Sequence, residues 1–222
     1  MREIFEAELR QVGDDLIEMS RLVESAVTRA GTALLDADHL LAQEVIAADH
    51  AIDRLESTLD ERCVHLLAQQ APVATDLRVV ISALRISASL ERMGDLARHV
   101  AEVARGRFPG QAVPASTRET FARMQDAAVH VAQRTTSLLE TRDVALAAEI
   151  EQDDDLLDAL HQDTFAALLA PGWAGGPQET IDVTLLGRYY ERFGDHAVSV
   201  ARRVTFLVTG DFEPEPEPAT EA

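Results

Sequence analysis

Apolar residues recur at steps of three and four along almost the whole chain. From Leu9, the series Val12, Leu16, Met19, Val23, Ala26, Ala30 and Ala33 draws one seam down one face of a helix. A second seam, Val45, Ala48, Ile52, Leu55 and Leu59, follows a break at Asp36-Ala-Asp38, where either Asp is suited to cap the new helix, and it ends near Pro72. A third runs through Ile86, Leu90, Met93, Ala97 and Val100, opened by Thr75 or Asp76 and stopped by Gly106. The segment from Gly106 to Pro114 holds two Pro and two Gly and reads as a linker. The pattern then restarts. Ser116-Thr-Arg-Glu119 has the spacing of a capping box ahead of Phe121, Met124, Ala128, Val131 and Leu138. Asp143 opens a fifth helix with Ile150, Leu157, Leu160 and Leu168, which the Pro171–Pro177 stretch interrupts. A sixth carries Leu186, Tyr190, Phe193, Ala197, Val200 and Val204 to Gly210.

Six helices in this order amount to three helices stated twice. Glu91-Arg-Met-Gly-Asp95 returns as Glu191-Arg-Phe-Gly-Asp195, and the seam around it returns at the same offset, Ile86 with Leu186 and Val100 with Val200. In the preceding helix Asp49 and Asp53 correspond to Asp154 and Asp158, the small difference in offset being absorbed by a loop. The expectation is an all-α protein of two tandem three-helix bundles related by internal pseudo-twofold symmetry. The first repeat is expected over residues 1–108 and the second over 109–212. The Glu-Pro-Glu-Pro-Glu-Pro segment within 213–222 is too polar and Pro-rich to build a core, so that tail is expected to be disordered.

Composition narrows the function. Aromatics make up only 5% of the 222 residues, which suits helices packed through aliphatic side chains better than a β-sandwich. The formal net charge is −19, of which the five acids of Asp211–Ala222 supply −5. Such a surface is repelled by phosphate backbones, so direct nucleic-acid binding is not expected, while cations are attracted. Cys63 stands alone and excludes an intrachain disulfide, which fits a reducing cytoplasm and a buried small hydrophobe. The N-terminal residues carry no apolar signal segment, and no run of about 18 apolar residues is present to span a membrane.

The chemistry lies in the acids. Each repeat holds two carboxylate pairs at i, i+4: Asp49/Asp53 with Glu91/Asp95, and Asp154/Asp158 with Glu191/Asp195. Residues four apart share one helical face, where like charges destabilise the helix by about 0.2–0.5 kcal/mol per pair. Either solvent and nearby Arg dissipate that repulsion, leaving a solvated acidic face, or a cation is held between the helices. Oxygen-only ligands suit hard cations such as Mg²⁺, Mn²⁺, Ca²⁺ or ferric iron, with Zn²⁺ also open. Arg92 and Arg192 directly follow the glutamates and are turned about 100° away, so they are poorly aimed at those acids. Gly94 and Gly194 each cost a helix about 1 kcal/mol relative to Ala, which either a close approach or simple packing explains. His50, His99 and His196 adjoin the acids without metalloprotease or ferritin-like spacing. No Gly-rich phosphate loop and no G-x-S-x-G elbow occurs, so catalysis is not expected. A metal-dependent hydrolase and an inert acidic helical scaffold are the alternatives.

Several stretches together resemble the PhoU family: Val45–Leu55, Ala71-Pro-Val-Ala-Thr-Asp-Leu-Arg78, Leu90–Asp95, Tyr190–Ala197 and Leu207–Gly210. The resemblance spans nearly the whole chain. It implies a pair of three-helix bundles, often dimeric, that binds iron or zinc through paired acidic motifs, here Asp49, Asp53, Glu91, Asp95, Asp154, Asp158, Glu191 and Asp195. It further implies a cytoplasmic, non-enzymatic negative regulator of phosphate uptake and phosphate-starvation signalling. The partners implied are the ATPase subunit of the phosphate ABC transporter and a sensor histidine kinase, through which alone it meets a membrane. The chain departs from the family pattern in two places. The first repeat reads Gly-Asp-Leu-Ala-Arg-His99 where the family usually has Gly-Asp-His-Ala and then Asn, and Arg202 stands where the first repeat has Glu102, so the two sites are expected to differ in affinity. Asp76 and Arg78 have no second-repeat counterparts; an N-cap and a surface charge are the plain expectations for them.

Overall fold

A computed structural model describes residues 2–211, so the expected disordered tail over 213–222 lies outside the described residues. The helices are α1 (Arg2–Asp36), α2 (His39–Ala48), α3 (His50–Gln70), α4 (Thr75–Arg107), α5 (Arg118–Thr141), α6 (Ala145–Leu169) and α7 (Pro177–Thr209), and no strand occurs among the described residues. The predicted seams of the first, third, fourth and sixth helices are buried almost throughout, from Met19 through Leu90 and Phe121 to Phe193, in one continuous aliphatic core.

Two three-helix units share that core. In the first, α1, the α2–α3 pair and α4 pack on one another; in the second, α5, α6 and α7 do the same. Between the units α1 packs on α5 and α4 on α7, leaving α2–α3 and α6 on the outside. The first helix of each unit thus meets its counterpart, and so does the third, which is the pairing a twofold relation produces. Arg107 at the end of α4 forks onto the buried Asp182 near the start of α7, with Nη2 donating to Oδ1 at 2.8 Å, and this ties one unit to the other. Tyr190 of α7 donates to Gln125 Oε1 of α5 at 2.9 Å, while the Gln125 amide donates to the Val27 carbonyl of α1 at 3.0 Å. Gln125 lies where a side chain on Gly31 would stand, so this glycine admits a buried polar link between the units.

The single helix expected after Asp38 is two segments meeting at Asp49. Its backbone stays in the right-handed region, but the Ile52 amide bonds the Asp49 carbonyl at 2.8 Å, an i→i+3 closure that tightens the turn. Ala48, assigned to the seam, is exposed, and Asp49 occupies the inward position instead. The apolar register Val45, Ile52, Leu59, Cys63, Leu66 therefore carries a carboxylate at one of its steps.

The helix starts also differ from expectation in part. Asp38 caps α2, its Oδ1 accepting from the Leu40 and Leu41 amides at 3.0 Å. The Ser116–Glu119 box does not form: Thr117 is the N-cap of α5 and makes no side-chain cap bond. Thr75 and Asp76 lie inside the first turn of α4, behind Ala74. Arg78 is half-buried with its guanidinium over the Phe206 ring, 5.5 Å from the centroid, and against Gly210, which ends α7 at φ +83°. A side chain on Gly210 would meet that guanidinium, so the single-copy motif of the first repeat is fitted to the end of the second.

Candidate functional site

The acid pairs sit where the outer helices cross the third helix of each unit. At the first crossing, a Cβ on Gly94 of α4 would lie 2.8 Å from Ile52 Cδ1 and 3.5 Å from Asp49 Oδ1. At the second, a Cβ on Gly194 of α7 would overlap Asp154 Oδ1 and lie 3.0 Å from Leu157 Cδ1. The residues approaching the two glycines are the repeat counterparts of one another. The glycines are there for close approach, and the approaching groups include a carboxylate each time.

The first cluster is neutralised from within. Arg98 of α4 donates through Nε to Asp49 Oδ2 at 2.7 Å, through Nη2 to Asp95 Oδ1 at 2.6 Å and through Nη1 to Glu102 Oε1 at 2.7 Å. Asp49 is 7% exposed and Arg98 25%. Arg92, expected to point away, reaches Asp95 Oδ2 at 2.9 Å, because a long side chain at i−3 folds back along the helix. It also lies 3.4 Å from Glu91. Asp53 has His50 Nδ1 at 3.5 Å. Burial raises the Asp49 carboxyl against the opposing pull of Arg98, while at Asp95 burial is outweighed by Arg98 and Arg92 and the carboxyl is held below its usual range.

The second cluster lacks that charge. Position 198, one hundred residues beyond Arg98, is a buried Val. Arg188 pairs with one oxygen of Glu191 from a half-exposed position. Among the described residues no cationic side chain pairs with Asp154, Asp158 or Asp195. Asp154 Oδ1 and Glu191 Oε2 are buried without a hydrogen-bond partner. Burial, followed by the charges of Asp158 and Asp195, pushes the Asp154 carboxyl up to about 7. Burial and Asp195 likewise raise Asp158 and Glu191. Arg202, which replaces the acid of the first repeat, lies 3.5 Å from Glu151 on the rim.

His161 was not singled out in the sequence, yet it is buried one turn beyond Asp158, its Nδ1 unpartnered and facing Gly187. Burial and Arg188 hold it neutral by lowering its basicity. It falls on the register Ile150, Asp154, Leu157, His161, Thr164, a seam in which polar residues alternate with apolar ones. A cleft of about 560 Å³ runs along α7 beside these helices, lined by Arg85, Ser89, Glu151, His196, Ser199 and Arg202 among others.

For a metal ion the donor sets differ. The second cluster offers oxygen ligands with two buried, unpaired oxygens, which suits a hard cation. In the first, Arg98 engages one oxygen each of Asp49 and Asp95. As the side chains stand, no group of three or more His, Cys, Asp or Glu among the described residues is arranged to hold a metal.

The PhoU domain model matches residues 16–104 and again 121–204, one match on each three-helix unit. The chain belongs to the PhoU family. Over 212 residues it is 43% identical to the phosphate-specific transport system accessory protein PhoU homolog 2 of Mycobacterium tuberculosis, covering 96% of this chain and all of that one. It is 38% identical to PhoU homolog 1 of the same species, over 99% of this chain and all of the homolog. The crystal structure of PhoU from Pseudomonas aeruginosa superposes with a TM-score of 0.82 at 31% identity, covering 93% of this chain and 100% of that one. No helix among the described residues of this PhoU-family chain is long and apolar enough to cross a membrane.

Proposed function

We propose that this protein is a non-enzymatic, cytoplasmic negative regulator of phosphate uptake, acting as an adaptor between the ATPase subunit of a phosphate ABC transporter and a sensor histidine kinase. The observation that carries this is the double PhoU match, one for each helical unit, on a chain whose relatives are accessory proteins of phosphate-specific transport. Regulation by contact suits a molecule whose polar chemistry lies in helix-borne carboxylates. It works as a homodimer. Asp154, Asp158, Glu191 and Asp195 would hold a metal, iron or zinc or another oxygen-seeking cation, which neutralises the acids and fastens α6 to α7. The protein's own contribution is to keep two of those carboxylate oxygens unpaired and out of water.

Deleting the gene in its native host tests the reading. Phosphate should accumulate in excess, and starvation genes should be expressed in phosphate-rich medium. Normal repression in the deletion strain would refute a regulatory role. Tagged protein should also co-purify with the transporter ATPase or the kinase.

A further inference from the structure

The two repeats hold their acids in different ways, and the main difference lies at one position. A guanidinium presents five N–H donors and cannot be deprotonated in a protein. At Arg98 those donors are spent on three carboxylates, Asp49 from the outer helix and Asp95 and Glu102 from α4. A metal ion bound to these acids would need their oxygens at about 2.0–2.6 Å. The nitrogens of Arg98 already stand 2.6–2.7 Å from the same oxygens, so ion and side chain exclude each other by space and by charge. At the matching place in the second repeat Val198 is buried, and Asp154 Oδ1 and Glu191 Oε2 have no hydrogen-bond partner.

We infer that Arg98 is a built-in cation that takes the place of a metal in the first repeat, so that this chain carries one self-closed carboxylate cluster and one open one. The inference deepens the proposed function, since it rests on the reading that the open cluster binds metal. It assigns the two halves different jobs. The α2–α3 to α4 crossing is locked by the polypeptide and holds under all metal conditions. The α6 to α7 crossing is the half whose packing answers to cation supply. It also gives a direction to the expected difference in affinity between the sites: the acid retained at Glu102 does not strengthen the first site for metal, because Arg98 consumes it.

Metal content decides the matter. Full-length protein is stripped with chelator, reloaded with Zn²⁺ or Fe²⁺, desalted and assayed by elemental analysis, alongside Asp95→Asn, Asp195→Asn, Arg98→Val and Arg98→Val/Asp49→Asn. The wild type should keep its metal in Asp95→Asn and lose it in Asp195→Asn. Arg98→Val, which copies the second repeat, should gain metal, and Asp49→Asn in the same chain should remove the gain. In thermal melts Arg98→Val without metal should unfold earlier than the wild type and recover on adding the ion, whereas a merely structural Arg98 would give a loss that metal does not repair. Loss of metal in Asp95→Asn, or no gain in Arg98→Val that folds, overturns the inference. A wild type without metal beside an Arg98→Val that binds it would sustain the role of Arg98 in closing the first cluster, and would overturn both the cation-dependent α6–α7 crossing and the metal of the proposed function. Should Arg98→Val fail to fold even with metal, the comparison of Asp95→Asn with Asp195→Asn decides alone.

Discussion

At the scale of single residues, the two motif glycines show how far a sequence can be read. Gly94 and Gly194 in helix interiors are legible as an anomaly, since each costs about 1 kcal/mol against Ala, but the cause lies in what crosses them. Ile52 and Asp49 press on one, and Leu157 and Asp154 on the other. Adding a methyl there exchanges a propensity gain of about 1 kcal/mol for an overpacking cost of about 1–3 kcal/mol. Gly194→Ala should therefore lose stability on balance. Gly94→Ala should lose less, because the atom met first is the flexible end of Ile52. Gly13 is the internal control: nothing lies within 4 Å of an added Cβ, so Gly13→Ala should gain up to about 1 kcal/mol. Urea midpoints of the three variants check the order, and stabilisation by Gly194→Ala would show that Asp154 does not lean on that helix. The inward carboxylates were legible in principle too. Asp49 and Asp154 fall on the apolar register of their helices, but a register read by hydrophobicity alone passes over a polar residue and takes the neighbouring Ala48 instead.

At the scale of helices, the seams identified which faces meet the core, because burial of aliphatic side chains dominates and repeats every turn. What they could not supply is the pairing between elements, which rests on single polar contacts without periodic signal. The Arg107–Asp182 fork is the plainest case, joining the end of α4 to the start of α7 across 75 positions of sequence. Asp182 is 2% exposed, and Gln178 is the other side chain that donates to it, at 3.0 Å. Removing the guanidinium leaves a nearly buried carboxylate with one amide for company, a loss of about 3–5 kcal/mol for an uncompensated charge. Arg107→Ala should cost about 3 kcal/mol in denaturant unfolding, and Arg107→Ala/Asp182→Leu should recover most of it, since the orphaned charge is then gone. Equal losses in the single and double variants would mean that the helix ends are held by packing instead. The capping box at Ser116–Glu119 failed for a related reason: its spacing is a local pattern, and α5 begins from Thr117 without using it.

For the whole molecule, duplication was legible and the asymmetry only in part: Arg202 against Glu102 signalled a difference, but the pair that decides it, Arg98 and Val198, is a single position in a repeat written in many residues. The second cluster also answers to pH. In metal-free protein the Asp154 carboxyl, raised to about 7 by burial and by its acidic neighbours, binds its proton more tightly folded than unfolded, where a free Asp sits near 3.9. Between those values the folded state holds the extra proton, so the contribution of Asp154 to stability is fully present below about 4, falls as pH rises through about 7, and levels off beyond it. Burial has the opposite effect on His161 and His196, which prefer to be neutral when folded and so favour higher pH. Those rings are common to wild type and Asp154→Asn, which lets the difference between the two proteins isolate the carboxyl. With chelator present, the stability of the wild type relative to Asp154→Asn should decline from pH 5 to pH 7 and flatten towards pH 8, measured by urea unfolding at each pH. A difference independent of pH would mean that Asp154 ionises as an ordinary surface acid, and the second cluster would then have no unmet charge for a cation to satisfy.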